Sequence, residues 1–508
     1  MQGYAPAGGG GEFAESREYY REVESWLGSE QAAGLQHAEL EEQMEARGRE
    51  LTRRLFQDHL ELQASREVRR GDVTGADGIA RTRAEKGHGR PLATKFGQVT
   101  VSRMAYRAPG AANVHPLDAA LNLPEEKHSH GLRKLAAIES VRGSHQDAAA
   151  AVTRATGVKI GKRQVEELAL RAAADVDGFY DSRRPDPAPD DHALVITCDG
   201  KGVVMRPEAL RPATARAAAS AEGKLATRLS PGEKHGRKRM AELACVYDAA
   251  PVPRAPEDII TPPGKKKQAG TDEGKGRREP QARGKWLTAS VTSDIPAVIT
   301  AAFDEAERRD PDRRREWIAL ADGNNTQIEA VTAEAARRGV TVTIIIDLIH
   351  VLEYLWKAAW SFFDKGEPAA GEWVADQALK ILRGKARQVV AGIRRRATSY
   401  GYRGPERAGA GECARYLTAK ARHLDYPAAL QKGWPIATGI IEGACRHIVK
   451  DRMDITGARW GLAGAEAILR LRALTANGDF EPYWRYHLRR EHERIHGARH
   501  RESLALAA

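Results

Sequence analysis

LVITCDGKGVVM, residues 194–205, decides how the rest of the chain is read. Leu194, Val195 and Ile196 open a short apolar run, Asp199 interrupts it, and Gly200 and Gly202 follow. An apolar run of that length, closed by glycine, is a buried strand that ends at a turn. A carboxylate among apolar neighbours is costly unless it is paired or binds a metal. The pattern returns at WIALADG (317–323), where Asp322 ends an equally apolar run. A third acid, Glu442, sits in TGIIEGACRH (438–447), on a helix that begins near Thr438.

Three further segments read as strands: RMAELACVYDA (239–249), KWLTASVT (285–292) and TVTIIIDLI (341–349). Residues 296–309 and 325–338 read as helices, so the order is β-β-β-α-β-α-β. Three sequential strands form an antiparallel meander, and the later two add through helical crossovers. That is the order of a ribonuclease-H-like fold. The expected class is therefore α/β, with an RNase-H-like mixed sheet as the catalytic domain. Strands one and four are neighbours in such a sheet, so Asp199 and Asp322 come together, and the late helix brings in Glu442. Three carboxylates at one spot repel one another, and divalent cations relieve this. Hard oxygen ligands suit Mg²⁺, with Mn²⁺ as a substitute. Two such ions activate a water or 3′-hydroxyl and stabilise the leaving oxygen of an in-line displacement.

Working outward, RRPDPAPDD (183–191) is a Pro- and charge-rich linker and the clearest boundary. Before it lies a mainly helical DNA-binding region. Residues 1–75 form a helical N-terminal region whose first 12 residues are Gly-rich and expected to be disordered. Within it, Leu40, Met44, Leu51, Leu55 and Leu62 make a stripe, read either as a dimerising face or, preferably, as a helix packed on its own chain. Residues 76–130 hold a small β-hairpin, where Phe96, Val99, Val101 and Met104 alternate around Gly97. In 131–182, helix, a turn at Gly157 and helix give the outline of a helix-turn-helix. Its second helix begins near Gly161 and presents Lys162, Arg163 and Gln164 where a recognition helix meets DNA. A plain helical hairpin is the alternative.

After the linker, 190–350 is the first part of the catalytic core. Residues 250–284 read as a mobile loop, with eight basic and three acidic residues between Lys265 and Lys285. Asp199 and Asp322 are 123 positions apart, and Asp322 and Glu442 are 120 apart. The second gap far exceeds one strand and one helix, so 351–434 is an all-helical insertion and 435–476 completes the core. Residues 477–508 are a basic tail. Its HERIH (492–496) fits the H-E-x-x-H zinc helix, but the basic context favours a solvated helix.

Several longer stretches resemble one family. They are DGKGVVMRPEAL (199–210), KLATRLSPGEKHGRKRMAE (224–242), ALADGNNTQI (319–328), IDLIHVLEYLWKAAWSFF (346–363), GWPIATGIIEGACRHIVKDRMDITGARWGL (433–462) and LRALTANGDFEPYWRYH (471–487). In this order and spacing they closely resemble the ISKra4 family of bacterial insertion-sequence transposases. The resemblance implies a DDE transposase whose carboxylates fall on Asp199, Asp322 and Glu442. It implies that Asp199 ligates both metal ions, Asp322 one and Glu442 the other. The helical insertion looks like that of Mutator-like transposases, which carry an Asp-x-x-His signature, matched here by Asp347 and His350. A role for that pair in positioning the scissile strand stands beside packing at a domain junction.

The remaining candidates have plainer readings too. Arg446, four residues after Glu442, reaches a DNA phosphate or pairs with the carboxylate. Arg459 and Trp460 lie in a Gly-rich loop, where Trp460 stacks on an unpaired base or is core. Lys201, Arg237, Lys238 and Arg239 line the first hairpin of the sheet and track DNA or form a solvated face. Cys198 and Cys445 read as packing thiols.

The chain has 508 residues, 80 Lys+Arg against 69 Asp+Glu, and a net charge of +11. That balance fits an anionic partner. Four cysteines without C-x-x-C exclude a zinc ribbon or disulfide scaffold. The sequence lacks a membrane span, a secretory signal and a P-loop, so the expectation is a cytoplasmic bacterial protein with no membrane and no nucleotide cofactor. Its expected partners are double-stranded DNA, as terminal inverted repeats and target, and further copies of itself in a homodimer or higher oligomer. Rival readings are an RNase-H-like nuclease that cuts without joining, a non-catalytic DNA-binding regulator, and an RNA-guided or domesticated effector.

Overall fold

The structure is a computed structural model that describes residues 12–71, 73–220, 237–262, 279–455 and 457–497. The Gly-rich start, the middle of the expected mobile loop and the end of the basic tail lie outside these residues. The chain forms two units, Met1–Asp181 with Asp479–Ala508, and Ser182–Gly478.

In the first unit, α1 (Ala14–Leu27) packs on α2 (His37–Arg66). The backbone N–H of Ser16 donates to buried Asp58 at 3.0 Å, and the Arg47 guanidinium lies 3.9 Å from the Trp26 ring. α2 packs on its own chain, as the preferred sequence reading has it, with Leu40, Leu51 and Leu62 of the stripe half-buried. Met44 and Leu55 are 36% and 43% exposed, and the buried residues of α2 are Asp58 and Leu60. Leu60 belongs to a core with Leu92, Val99 and Val101 of the neighbouring hairpin and with Leu123 beyond it. That hairpin joins β1 (Arg83–Thr94) to β2 (Gly97–Arg107), and Gly97 takes the positive φ of 123° that the turn needs.

Three helices follow, α3 (His130–Arg142), α4 (His145–Thr156) and α5 (Lys162–Ala172). They close around Leu132, Ala136, Ala148, Val152, Val165 and Leu168. Ser144 and Asp147 cap α4 reciprocally, and Gly157 ends it at φ 72°.

The C-terminal helix (Phe480–His492) belongs to this unit, so the segment expected to be a solvated tail is buried in part. Tyr483 donates to the Ala172 carbonyl at 2.6 Å. Arg133, fully buried, donates to Glu491 at 2.6 Å and also pairs with Glu126. Arg494 pairs with both Asp175 and Glu491, and His487 Nδ1 meets Asp175 at 2.7 Å.

The second unit is built on five strands: β3 (Ala193–Val204), β4 (Lys238–Ala249), β5 (Ala282–Ser290), β6 (Trp317–Ala321) and β7 (Val342–Ile346). Their spatial order is β5-β4-β3-β6-β7. β3, β4 and β5 form the antiparallel meander, and β6 and β7 add in parallel. The crossovers are α6 (Ile295–Arg309) and α7 (Asn325–Arg338). β5 begins three residues ahead of its sequence reading, inside the expected loop, because Ala282 pairs with Ala249.

An all-helical stretch comes next: α8 (Leu348–Ala359), α9 (Pro368–Leu382), α10 (Ala386–Ser399) and α11 (Ala408–Ala419). The chain then returns to the sheet with α12 (Gly439–Ala444), a wider π-helical turn at Cys445–Lys450, and α13 (Leu462–Ala476). Glu466 of α13 accepts from Ser290 Oγ at 2.9 Å and from the Val291 N–H at 2.9 Å, which fixes α13 to the end of β5. Among the described residues, no helix is long and apolar enough to cross a membrane.

Candidate active site

The site is built at one end of β3 and β6. Their parallel pairing finishes at Thr197 opposite Leu320, and Asp199 and Asp322 each lie two residues beyond that pair. β6 stops at Ala321, so Asp322 sits just past its strand, while β3 runs on through Asp199. Asp199 Oδ1 accepts from the Gly200 N–H at 2.6 Å, and Oδ2 accepts from Cys445 Sγ at 3.2 Å. Asp322 Oδ1 accepts from the Asn324 N–H at 2.7 Å, and Asn324 in turn caps α7.

The loop around Asp322 is held from the insertion. Tyr416 donates to the Asp322 carbonyl at 2.9 Å, and Lys420, one helical turn on and buried, is hydrogen-bonded to Asn325. Gly323 has φ 95°, and a Cβ there would lie 2.6 Å from the Tyr416 hydroxyl. Gly323→Ala should therefore keep the fold but displace Asp322, lowering about 100-fold any turnover that needs its carboxylate in place. Single-turnover cleavage beside a thermal melt measures it; an unaltered rate would remove Asp322 positioning from the mechanism.

β7 delivers Asp347, which is fully buried. Its N–H donates to the Ala321 carbonyl at 2.8 Å, tying it to the end of β6. Its carboxylate caps α8 through the Ile349 N–H at 2.8 Å and accepts from the Thr438 hydroxyl. It also meets His350 Nδ1 at 3.3 Å, a contact that raises the imidazole pKa to about 9. Glu442 stands on α12, and ligand atoms of Asp347, His350 and Glu442 all lie within 4.8 Å of one another. Among the described residues Asp199, Asp322 and Glu442 do not close into one such group.

Burial, then the neighbouring Asp347, push the Glu442 carboxyl above its usual range. His350 opposes this and Asp199 adds to it. Glu242 on β4 is also pushed up, by burial first, with Arg211 opposing and Asp199 adding. Crowded carboxylates that resist ionisation together are a donor set that a hard divalent cation satisfies.

The π-helical turn after Glu442 is what brings Cys445 to Asp199. The carbonyls it frees are collected by Arg472, which donates to Ile448 at 2.7 Å and also to His447. Such turns recur at functional sites. The Cys445 bond, Tyr416, Lys420 and Glu242 escaped the sequence reading. The only signal for Cys445 was its place one turn after Glu442.

Other candidates fall differently. Trp460 is core: it is 7% exposed, donates to the Met453 carbonyl at 3.0 Å, and has Arg452 4.7 Å from its ring. That leaves no open face for a base. Arg446 and Arg459 are exposed, and no ion pair joins Arg446 to Glu442. Arg239 is half-buried and donates to the carbonyls of Val291 at 2.6 Å and Ala209 at 3.3 Å, which engages part of its guanidinium. Lys201 and Arg237 are exposed, and Lys238 lies half-buried across Gly202. Lys162 and Arg163 are exposed at the start of α5, whereas Gln164 accepts from the Gly161 N–H at 2.9 Å as a helix cap. Cys198 is buried, as a packing thiol would be.

Asp175, His487 and Glu491 also come within 4.8 Å of one another. Arg133 and Arg494 already neutralise both carboxylates, so this group is an ion network rather than a cation site. His496 of the HERIH segment is buried against the Leu123 carbonyl at 3.0 Å.

No family model and no curated protein matches the chain. Among solved structures it is similar to a Drosophila P element transposase strand transfer complex, with 10% identity over 72% of this chain and 80% of that chain and a TM-score of 0.22. The resemblance to ISKra4 transposases thus rests on the motifs quoted above, and the functional reading on the chain's own residues.

Proposed function

We propose that this chain is a DDE-type DNA transposase with an RNase-H-like core. What supports the reading is one arrangement. Asp199 and Asp322 leave neighbouring parallel strands at the same end of the sheet β5-β4-β3-β6-β7, and the turn that follows the helix of Glu442 is tied to Asp199 through Cys445. Asp199, Asp322 and Glu442 would hold Mg²⁺, or Mn²⁺ in its place. Bound there, the ions supply Lewis-acid activation of a water or 3′-hydroxyl and stabilise the leaving oxygen.

The chain's own side chains do the rest. Cys445 and the Gly200 N–H orient Asp199. Tyr416 and Asn324 hold the Asp322 loop. Asp347 fixes His350 through Nδ1, leaving Nε2 to donate to a phosphate of the scissile strand. Lys162 and Arg163 contact the terminal inverted repeats, and exposed Met44 and Leu55 of α2 support a homodimer.

The test uses DNA carrying the element's own ends, with Mg²⁺ or with chelator. The expected result is metal-dependent nicks at the element boundary and joined product. Cutting without joining would make the chain a nuclease, and end binding without any cutting would make it a regulator.

A further inference from the structure

The outer end of α8 carries a second feature with chemistry of its own. A cavity of about 400 Å³ is lined by Lys357, Trp360, Ser361, Tyr402, Glu406 and Gly409 among others. Two of its walls are aromatic, and each is backed by another ring. Trp360, 40% exposed, stacks on Trp356 at 5.1 Å and 28°, and Tyr402 lies parallel to Phe362 at 6.2 Å and 13°. A Cβ on Gly409 would strike the Lys357 carbonyl, so glycine is what lets α11 approach α8 here. Ser361 Oγ accepts from the Ala410 N–H at 3.2 Å and keeps its own proton to donate. Lys357 Nζ lies 3.8 Å from Glu412 and 4.2 Å from the Tyr354 ring, and Arg403 and Arg407, next in sequence to Tyr402 and Glu406 of the lining, are exposed.

An exposed tryptophan with a supporting ring, a second ring and cationic surroundings are what stacking of a base from a phosphate chain requires. The cavity is also on the helix that starts at the candidate site. From His350 to Trp360 is ten residues, about 15 Å at 1.5 Å per residue. That distance spans about four nucleotides at 3.4 Å per step of one strand.

We propose that this cavity takes one unpaired nucleobase of DNA, stacked on Trp360 and Tyr402, with Lys357 on an adjoining phosphate. Glu406 of the lining accepts from an exocyclic amino group, which favours cytosine, adenine and guanine over thymine. The proposal rests on the reading of the chain as a DNA-processing enzyme, and its test is independent of cleavage.

The full chain, in chelator, is titrated with a short single-stranded oligonucleotide carrying one 2-aminopurine and with the matching duplex. Anisotropy reports affinity, and quenching of 2-aminopurine reports stacking. Trp360→Ala should weaken single-strand binding about 5- to 150-fold and abolish quenching while duplex binding is unchanged. Trp360→Phe should keep the quenching. Lys357→Ala should weaken binding, flatten its salt dependence by about 0.7 in log–log slope, and keep the quenching. Equal quenching by wild type and Trp360→Ala would overturn the proposal. So would Trp360→Ala losing duplex and single-strand binding alike with an unchanged thermal melt. Trp360-dependent quenching in a protein that never cuts element ends would uphold the cavity and overturn the transposase reading; cutting and joining with Trp360-independent quenching would do the reverse.

Discussion

Asp199→Asn should lower metal-dependent cleavage of element-end DNA about a thousandfold, equivalent to roughly 4 kcal/mol of transition-state stabilisation. The amide keeps an acceptor for the Gly200 N–H and removes the charge that a divalent ion needs. Binding of the ends should persist, since a negative charge has been taken away from a phosphate site. Asp322→Asn and Glu442→Gln should behave alike. The informative fourth variant is Asp347→Asn, because Asp347 shares a group with Glu442 and neither of the other two acids does. Single-turnover cleavage with a binding assay on the same DNA decides. If Asp347→Asn is inert and Asp322→Asn retains cleavage within tenfold, the second metal-holding carboxylate is Asp347.

The second large effect is on stability. Arg133→Met should destabilise the first unit by up to about 3 kcal/mol, since it removes the fully buried cation between Glu491 and Glu126 and leaves each with only a half-exposed arginine, Arg494 and Arg171. Arg494→Ala, at a half-exposed side chain, should cost under about 1 kcal/mol. Burial pushes the carboxyls of Asp175 and Glu491 up, but hydrogen bonds from His487 and Arg133 respectively, with nearby Arg494, outweigh it and hold both below the usual range. Groups with a depressed folded pKa stabilise above their unfolded value, near 4, and that contribution fades as pH falls through the folded value. The gap between wild type and Arg133→Met in urea denaturation should therefore be full at neutral pH and shrink below about pH 4. A gap that is flat down to strongly acidic pH would mean that the network contributes packing and not charge.

The sheet was legible because its strands are short aliphatic runs with turn residues at their ends. Residues 325–338 were read as a helix and form one over Asn325–Arg338, between the Asn324 cap and Gly339 at φ 63°. Asp199, Asp322 and Glu442 stood out as charges among apolar neighbours. What stayed hidden depends on distant partners. The apolar stripe of α2 left out one of its most buried positions, polar Asp58, which is held by Ser16 42 residues away. Tyr416 lies 94 positions from Asp322, and Cys445 lies 246 from Asp199, so no local pattern marks either as part of the site. Trp460 and Trp360 are both tryptophans near basic residues, and only their burial separates a core ring from an open one.

The return of the C-terminal helix to the first unit sets an order of events during synthesis. Arg133 must wait for Glu491, 358 residues later, which at 5–20 residues per second is roughly 20–70 s of translation. The sheet of the second unit has all its strands well before then. On the ribosome the sheet can therefore form first, while the first unit stays open until the last segment emerges. A nascent chain thus carries a formed sheet before its N-terminal half is closed.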